Sequence, residues 1–382
     1  VHPTNSNIVF VGGTNLHRSI DGFTTPVGNS GWIGGYNKSG KEEAYTNHHA
    51  DQHNLVLLPS NPSIAISAND GGLFRTENIL AQSVSYTSLN NNYLTTQPFT
   101  LSFDTEGTNT TLLSGFQDNG TWVSGSDAIT DPWAEMFSGD GSYNAVADGA
   151  QTLYVSTQYG NLHRLNFDEN FNYVSSARIT MDQNKGFAFL APFVLDPNDD
   201  NIMYMPSAGS MWANSNLDEI PTGSSDNAKK NWHKYDKKAL GTPITAVDAS
   251  TYPVQHRIYF GAQGGGIFRA DNAHTKNPII SLNLAKGQGL GPGQINCIYV
   301  DPTDSDRVFI VKPNYGVRSI HMSENAGATW IDISGNLEEN TDGTGNGPSV
   351  RWITMIGNND GYLVGTSTGL YGTTTLAGLN TV

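Results

Sequence analysis

Two histidines and one aspartate alternate near the start of the chain, at His49, Asp51 and His53. Residues two apart in a β-strand point to the same side of a sheet, so these three side chains are expected to lie together. Two imidazoles and a carboxylate on one side form a ligand set for a divalent transition metal. A polar plug, in which imidazole hydrogen-bonds carboxylate, is the alternative interpretation of the same spacing.

Three further aspartates, Asp70, Asp118 and Asp140, stand in glycine-containing segments. Carboxylates and backbone carbonyls are the hard ligands that calcium prefers, so these residues are candidates for a calcium site. Asp118 and Asp140 are also candidates for the acid and base of a glycoside hydrolase, with Asp51 or Asp70 as a third carboxylate. Their separation would be about 5–5.5 Å in a retaining enzyme and about 6.5–9.5 Å in an inverting one. The alternative is turn chemistry, since Asp-Gly suits a tight turn whatever the function.

The elements that must position these residues come from an internal repeat. Each copy has a turn residue, an apolar residue, an aromatic residue or histidine, and often an arginine. The eight copies lie about 40 to 57 residues apart, which is the range of propeller blades. They are Leu16–Ser19, Leu73–Thr76, Thr121–Ser124, Leu162–Leu165, Met211–Asn214, Ile267–Ala270, Ile320–Ser323 and Leu370–Thr373.

Each repeat unit is predicted to contain four antiparallel strands, A to D. An Asp-Pro turn such as Asp196-Pro197 joins strands A and B, and a Gly-rich turn joins B and C. Four antiparallel strands per unit predict an all-β fold, a β-propeller of about eight four-stranded blades, as a single domain over residues 1–382. The first unit lacks most of strand A and the last, 349–382, leaves little room for strand D, so seven blades are the alternative.

The propeller geometry predicts where a site would lie. Strand A lines the central channel, and the segments entering strand A share one face with the B–C turns. The polar candidates fall in these segments, with Tyr159 and Tyr315 as stacking platforms for a ligand. The full set predicted on this face is His49, Asp51, His53, Asp70, Gln117, Asp118, Asn119, Asp140, Gln158, Tyr159, Gln263 and Tyr315.

Composition limits the partners of the chain. Its formal charge is −15, although only 14% of its residues are charged. An acidic surface repels phosphate backbones, so we expect no nucleic acid partner. No apolar run approaches the roughly 18 residues of a membrane span. The one cysteine, Cys297, lies in an apolar run that predicts a buried strand, and it has no second cysteine for an internal disulfide.

Two segments resemble a known propeller motif. Ser323–Trp330 and, in shortened form, Ser19–Thr24 are similar to the Asp-box of BNR-repeat propellers, a superfamily that includes sortilin-type receptors, sialidases and xyloglucanases. The resemblance implies that Asn325 ties the C–D turn together and that Trp330 packs between blades. A longer series resembles propeller segments of large secreted or cell-surface bacterial proteins, often cargo of the type IX export route. It comprises His49–His53, Asn69–Arg75, Leu89–Asn92, Gln117–Thr121 and Gly139–Gly141.

This resemblance implies an extracellular or cell-surface bacterial module, excised from a larger protein whose other domains are its neighbours. Sialidases grip a carboxylate with three arginines, but here Arg18, Arg75, Arg164 and Arg269 recur at one place in the repeat, which favours a structural role. We therefore expect a non-catalytic role in binding or presentation, with a protein or polysaccharide ligand. The alternative is a carbohydrate-active enzyme of the glycoside hydrolase type. Calcium or another divalent metal is the candidate cofactor, and the alternative is that the chain has none.

Overall fold

The computed structural model describes residues 1–36, 45–92, 96–104, 110–181, 186–223, 228–235, 242–313, 315–340, 342, 344–357, 360–378 and 381. Over these residues the backbone forms thirty strands and four single-turn 3-10 helices. The helices are Asn29–Gly31, Asp148–Ala150, Gln158–Gly160 and Gly335–Leu337. The chain divides into two compact units, Val1–Gln97 (unit 1) and Pro98–Val382 (unit 2).

Unit 1 contains two antiparallel sheets whose strands pair in chain order. Sheet 1 consists of β1 (Val9–Gly12), β2 (Leu16–Ser19) and β3 (Trp32–Gly34). Sheet 2 consists of β4 (Gln52–Leu58), β5 (Asn61–Asn69), β6 (Gly72–Thr76) and β7 (Thr87–Ser88).

Unit 2 contains six further sheets with the same antiparallel order. Sheet 3 consists of β8 (Pro98–Phe103), β9 (Leu112–Phe116), β10 (Gly120–Ser124) and β11 (Ala134–Phe137). Sheet 4 consists of β12 (Asn144–Ala147), β13 (Thr152–Thr157), β14 (Asn161–Phe167) and β15 (Tyr173–Arg178). Sheet 5 consists of β16 (Val194–Asp196), β17 (Asp199–Ser207), β18 (Ser210–Asn214) and β19 (Trp232–Lys234).

The remaining three sheets complete unit 2. Sheet 6 consists of β20 (Ile244–Ala249), β21 (Ile258–Ala262), β22 (Ile267–Asp271) and β23 (Ile279–Ser281). Sheet 7 consists of β24 (Cys297–Asp301), β25 (Asp304–Val311), β26 (Ile320–Ser323) and β27 (Ile331–Asp332). Sheet 8 has three strands, β28 (Val350–Ile356), β29 (Gly361–Thr366) and β30 (Gly369–Thr373). No helix among the described residues is long and apolar enough to cross a lipid bilayer.

The repeat predicts the strands correctly. All eight copies lie in strand C of a sheet, from β2 in sheet 1 to β30 in sheet 8. Among the described residues, no strand A pairs in sheet 1 and no strand D pairs in sheet 8, as the sequence indicates. Eight antiparallel sheets with almost no helix confirm the predicted class, an all-β propeller of eight blades, over the seven-blade alternative.

The core of unit 2 lies between consecutive sheets. Leu162 of sheet 4 and Met203 of sheet 5 share one buried cluster, and every residue of β13 is buried. Burying one large aliphatic side chain contributes about 1.5–3 kcal/mol, so each sheet gains stability from its neighbour. Cys297 of β24 is buried in the cluster between sheets 7 and 8, as predicted. Burial raises the pKa of its thiol.

Side chains close the A–B and C–D turns, which lie at the same end of the strands. In the A–B turn of sheet 7, Asp301 Oδ1 accepts a hydrogen bond from the Thr303 backbone N–H at 2.8 Å. In the C–D turn of the same sheet, Ser323 Oγ accepts from Gly327 N at 2.9 Å and Asn325 Oδ1 from Thr329 N at 2.8 Å. These short polar side chains replace backbone partners that the turns leave unpaired.

Candidate functional site

The polar residues of unit 1 do not follow the predicted strand. β4 begins at Gln52, and Asp51 precedes it in the left-handed region with φ 57°. Because this conformation interrupts the alternation of side chains, the prediction that His49, Asp51 and His53 point to one side of a strand is wrong. His53 Nε2 instead hydrogen-bonds Asp70 Oδ1 across the sheet. A polar pairing of imidazole and carboxylate thus exists, with Asp70 as the carboxylate.

His48 is a buried histidine of unit 1 that the sequence analysis missed. Its Nε2 lies 3.0 Å from Ser67 Oγ and 3.4 Å from Asn69 Nδ2. Burial, with a smaller contribution from His49, lowers the pKa of His48 to about 4. His49 packs over Gly71, where an added Cβ would lie 2.5 Å from the His49 Cβ. His48 therefore belongs to the sheet interior and is neutral near pH 7.

In unit 2, the B–C turns and the segments entering strands A are joined by hydrogen bonds. Gly120 N donates to Gly139 O at 2.8 Å, and Gly141 N donates to Phe116 O at 2.9 Å. Ala208 N donates to Gly186 O at 2.7 Å in the same way. We call this set of turns and entering segments the loop face of unit 2.

Three predicted residues, Asp118, Asp140 and Gln158, are joined on the loop face in one hydrogen-bond network. The Asp118 backbone N–H donates to Asp140 Oδ1 at 3.0 Å, and the Asp140 N–H donates to Gln158 Oε1 at 3.3 Å. Asp118 has φ 58°, which turns its N–H towards Asp140. Tyr159 follows Gln158 directly, so the chain carries the network to an aromatic ring. One carboxylate oxygen of Asp140 therefore organises the backbone of sheet 3.

Tyr159 lies at positive φ, at 59°, and 52% of its surface is exposed. Its N–H donates to Phe189 O at 3.0 Å, and the two rings meet edge to face at 5.5 Å between centroids. Phe189 is 40% exposed and was missed by the sequence analysis. The sequence signal for Phe189 was its position, as an aromatic residue, in a segment that enters strand A. Two large apolar rings exposed on loops are unusual unless they contact a partner.

The other predicted residues occupy the same kind of turn but join different partners. Asn119 Nδ2 donates to Gln117 O at 3.0 Å. The Gln263 backbone N–H donates to Pro243 O at 2.9 Å, and Gln263 is exposed. The hydroxyl of Tyr315, which is 67% exposed, lies 3.2 Å from Ser367 Oγ in the B–C turn of sheet 8. Tyr159, with a ring partner, is therefore better fixed as a platform than Tyr315.

The recurrent arginines of strand C tie one sheet to the next. Arg164 is 4% exposed and donates to Leu217 O at 2.6 Å and Ile220 O at 3.0 Å in sheet 5. Arg269 likewise donates to Ala326 O of sheet 7 at 3.0 Å. Arg75 differs, because its side chain is 42% exposed and pairs with Glu77. A buried guanidinium that satisfies backbone carbonyls is structural, and this explains the repeat without a bound carboxylate ligand.

Comparisons with known proteins define the class of the fold. No protein-family model matches the sequence, and no curated protein sequence matches it. Solved structures do match. Sqt1 of Chaetomium thermophilum, bound to the N-terminus of the ribosomal protein L10, gives a TM-score of 0.51 at 12% identity over 97% of this chain and 94% of that chain. The RRP9 WD40 repeats give 0.46 at 12% identity over 82% and 86%, and YCF48 of Cyanidioschyzon merolae gives 0.46 at 14% over 84% and 94%.

The chain thus has the fold of a β-propeller, and the RRP9 structure among its matches is described as WD40 repeats. The predicted assignment to the Asp-box propellers of sialidases and sortilin-type receptors is wrong on this finding. Turns such as that of Ser323 and Asn325 have the hydrogen bonds expected of that motif, because any tight turn with these residues can form them. The acid–base role of Asp118 and Asp140 and the predicted metal sites stay predictions.

Proposed function

We propose that the chain is a non-catalytic binding module that holds a protein segment on the loop face of unit 2. The observation that carries this proposal is Tyr159, an exposed aromatic residue held at positive φ against exposed Phe189. A bulky residue at positive φ costs about 1–3 kcal/mol, and such strain concentrates at functional sites. Exposed aromatic side chains are also the residues that dominate the energetic centres of protein interfaces.

The neighbours of the aromatic pair indicate the chemistry of the ligand. Asp140 and Gln158 lie next to it and are each half-buried, and the chain as a whole carries a formal charge of −15. A protein segment with a basic or donor-rich side chain beside an apolar one complements this surface. The Sqt1 structure was solved with the N-terminus of the ribosomal protein L10 bound, and a protein segment is the same class of ligand that we infer here.

Selection from a random peptide library tests the proposal. The full chain is immobilised, bound peptides are enriched, and their affinities for Tyr159→Ser and wild type are compared by fluorescence polarisation. We expect Tyr159→Ser to weaken binding by about tenfold or more, as for other aromatic interface anchors. Tyr173→Ser is the matched control, because Tyr173 is 59% exposed on the outer strand β15 of the same sheet.

Two outcomes contradict the proposal. If the selected peptides bind Tyr159→Ser as tightly as they bind the wild type, the loop face is not their binding site. Binding to an array of polysaccharides, sensitive to Tyr159→Ser in the absence of any peptide ligand, would instead favour the carbohydrate ligand that the sequence analysis also considered.

A further inference from the structure

Two histidines of unit 2 lie against each other at the end of the strands opposite the loop face. His256 lies in the A–B segment of sheet 6, two residues before β21, and His274 lies in the C–D segment of the same sheet, between β22 and β23. Their ring centroids are 4.2 Å apart, and the ring planes are inclined by 51°. Neither histidine belongs to the strand-C repeat or to the loop face.

Asp196 determines which nitrogen of His256 carries the proton. His256 Nδ1 lies 2.9 Å from Asp196 Oδ2, and the Asp196 side chain is fully buried. Because a carboxylate only accepts hydrogen bonds, Nδ1 donates and Nε2 keeps its lone pair. Histidines that bind metals commonly donate their other ring N–H to a carboxylate, which fixes the ring and makes it a stronger ligand. The His256 side chain is 25% exposed, so an ion can reach it from solvent.

His274 offers a second imidazole whose hydrogen bonding is incomplete. Its Nδ1 is buried and has no hydrogen-bond partner among the described residues. Buried polar atoms usually have a partner, and a bound ion is one of the groups that can supply it. Burial, with a smaller contribution from His256, lowers the pKa of His274, and the neutral imidazole is the form that binds metals.

Hydrogen bonds fix the backbone that carries the two rings. Ala273 N donates to His256 O at 2.8 Å, which ties the A–B and C–D segments of sheet 6 together beside the histidines. From sheet 5, Tyr235 Oη donates to Ala273 O at 2.7 Å, and His233 Nε2 donates to Thr275 O at 2.8 Å. The residues on both sides of the second histidine are therefore held in place, so the pair needs little ordering before it binds a ligand.

We propose that His256 and His274 bind one divalent transition metal ion, with water completing its coordination. A zinc ion lies about 2.0–2.1 Å from each imidazole nitrogen that binds it, so two such nitrogens are at most about 4 Å apart. Rings whose centroids are 4.2 Å apart reach this arrangement by rotation of their side chains. The bound ion joins the A–B and C–D segments of sheet 6.

The ligand atoms decide the class of metal. Imidazole nitrogen suits zinc, nickel and copper, whereas calcium and magnesium prefer oxygen ligands. Asp196 acts as a positioning residue, because its carboxylate is occupied by hydrogen bonds from the protein. The site lies in unit 2 and shares no residue with the metal sites predicted from the sequence. It is also separate from the loop face and does not depend on the function proposed for it.

Titration of the full chain with Zn²⁺ tests the proposal. Isothermal titration calorimetry at pH 7.5 is expected to show saturable binding of one ion per chain. His274→Ala should weaken zinc binding by about tenfold or more, since loss of a ligand costs at least as much as loss of an outer partner. His256→Gln should have a similar effect. The matched control is His53→Gln, because His53 is an exposed histidine of unit 1 that also pairs with an aspartate, and this variant should bind zinc as the wild type does.

Asp196→Asn tests the positioning role of the carboxylate. Asparagine keeps an acceptor oxygen for the turn but removes the charge, so zinc binding should weaken by about tenfold while both ligands remain. Electron paramagnetic resonance of the Cu²⁺ complex distinguishes the two roles. It should show coupling to two nitrogens in the wild type and in Asp196→Asn, and to one in His274→Ala. Melting temperatures without metal confirm that the variants fold.

Three results contradict the proposal. The first is the absence of saturable zinc binding to the wild type at millimolar concentration, and the second is wild-type affinity in His274→Ala. The third is loss of zinc binding in His53→Gln, because the ion would then belong to unit 1. Zinc should also raise the melting temperature of the wild type and not that of His274→Ala. Tyr159→Ser should bind zinc as the wild type does, which separates this site from the loop face.

Discussion

Two aspartates of unit 2 stand in turns at opposite ends of the strands and differ in how fully they are bonded. Asp196, in the A–B turn of sheet 5, is 1% exposed and accepts hydrogen bonds from Tyr204 Oη at 2.5 Å, His256 Nδ1 at 2.9 Å, and Asn198 N and Nδ2 at 2.9 and 2.8 Å. Asp140, on the loop face, is half-buried and accepts one backbone hydrogen bond. A carboxylate with all its acceptor sites filled holds the fold, whereas a half-exposed one retains capacity for a ligand.

Replacing Asp196 is the strongest test of this difference. Asp196→Ala should lower the free energy of unfolding by about 3 kcal/mol, because it leaves the buried Tyr204 hydroxyl and the His256 imidazole without their acceptor. Urea denaturation followed by tryptophan fluorescence measures the change. A loss below about 1 kcal/mol would mean that water or a rearranged turn replaces the carboxylate, and the comparison would fail.

Arg164 extends the comparison to the ties between sheets. Arg164→Ala should lower the free energy of unfolding by about 2 kcal/mol, because it removes the donor to the buried Leu217 and Ile220 carbonyls. Arg75→Ala is the control, and its exposed ion pair with Glu77 should contribute less than about 1 kcal/mol. Similar losses in both variants would contradict the structural role that burial assigns to Arg164.

His321 makes the stability of the buried interior depend on pH. Burial, together with Lys312, lowers its pKa to about 4 from the usual 6.5. The unfolded chain therefore binds the proton more readily, and stability is lost as the pH falls from about 6.5 towards 4. Between pH 7 and pH 5 we expect His321 to contribute about 1–2 kcal/mol to the loss in the wild type. His321→Gln should reduce this dependence, and an unchanged slope in denaturation across that range would contradict the assignment.

Asp140 should show the smallest effect on stability. Asp140→Ala removes one hydrogen bond to a backbone N–H in a half-buried turn, so the free energy of unfolding should fall by less than about 1 kcal/mol. The same variant should weaken the binding of the peptides selected on the loop face. A loss of stability comparable to that of Asp196→Ala would show that both ends of the strands use their aspartates in the same way.

The sequence predicts the sheets well because the strand-C pattern encodes packing directly. Leu162 and Arg164 alternate with His163, and the structure buries the first two and ties the arginine to the next sheet. The residue equivalent to Leu162 is buried in six of the eight sheets, with Leu73 and Leu370 as the exceptions, so the pattern can be recognised from the sequence alone. The incomplete first and last blades follow from the same pattern.

The sites were harder to predict because single backbone conformations decide them. Nothing in the spacing of His49 and His53 indicates that Asp51 adopts φ 57°, which ends the alternation before β4. Likewise, Phe189 lies thirty residues after Tyr159 in the chain, and only the hydrogen bond between the two segments brings their rings together. Contacts between turns of different blades do not recur at a fixed spacing in the sequence, so the sequence alone does not reveal them.

Chemical modification of the single buried thiol reports how often the core around it opens. Cys297 is fully buried between sheets 7 and 8, and burial raises the pKa of its thiol. A thiol reagent can therefore modify the chain only during moments when these two blades separate or the chain unfolds. At saturating reagent, the rate of modification would equal the rate of those openings. The measurement needs no engineered label.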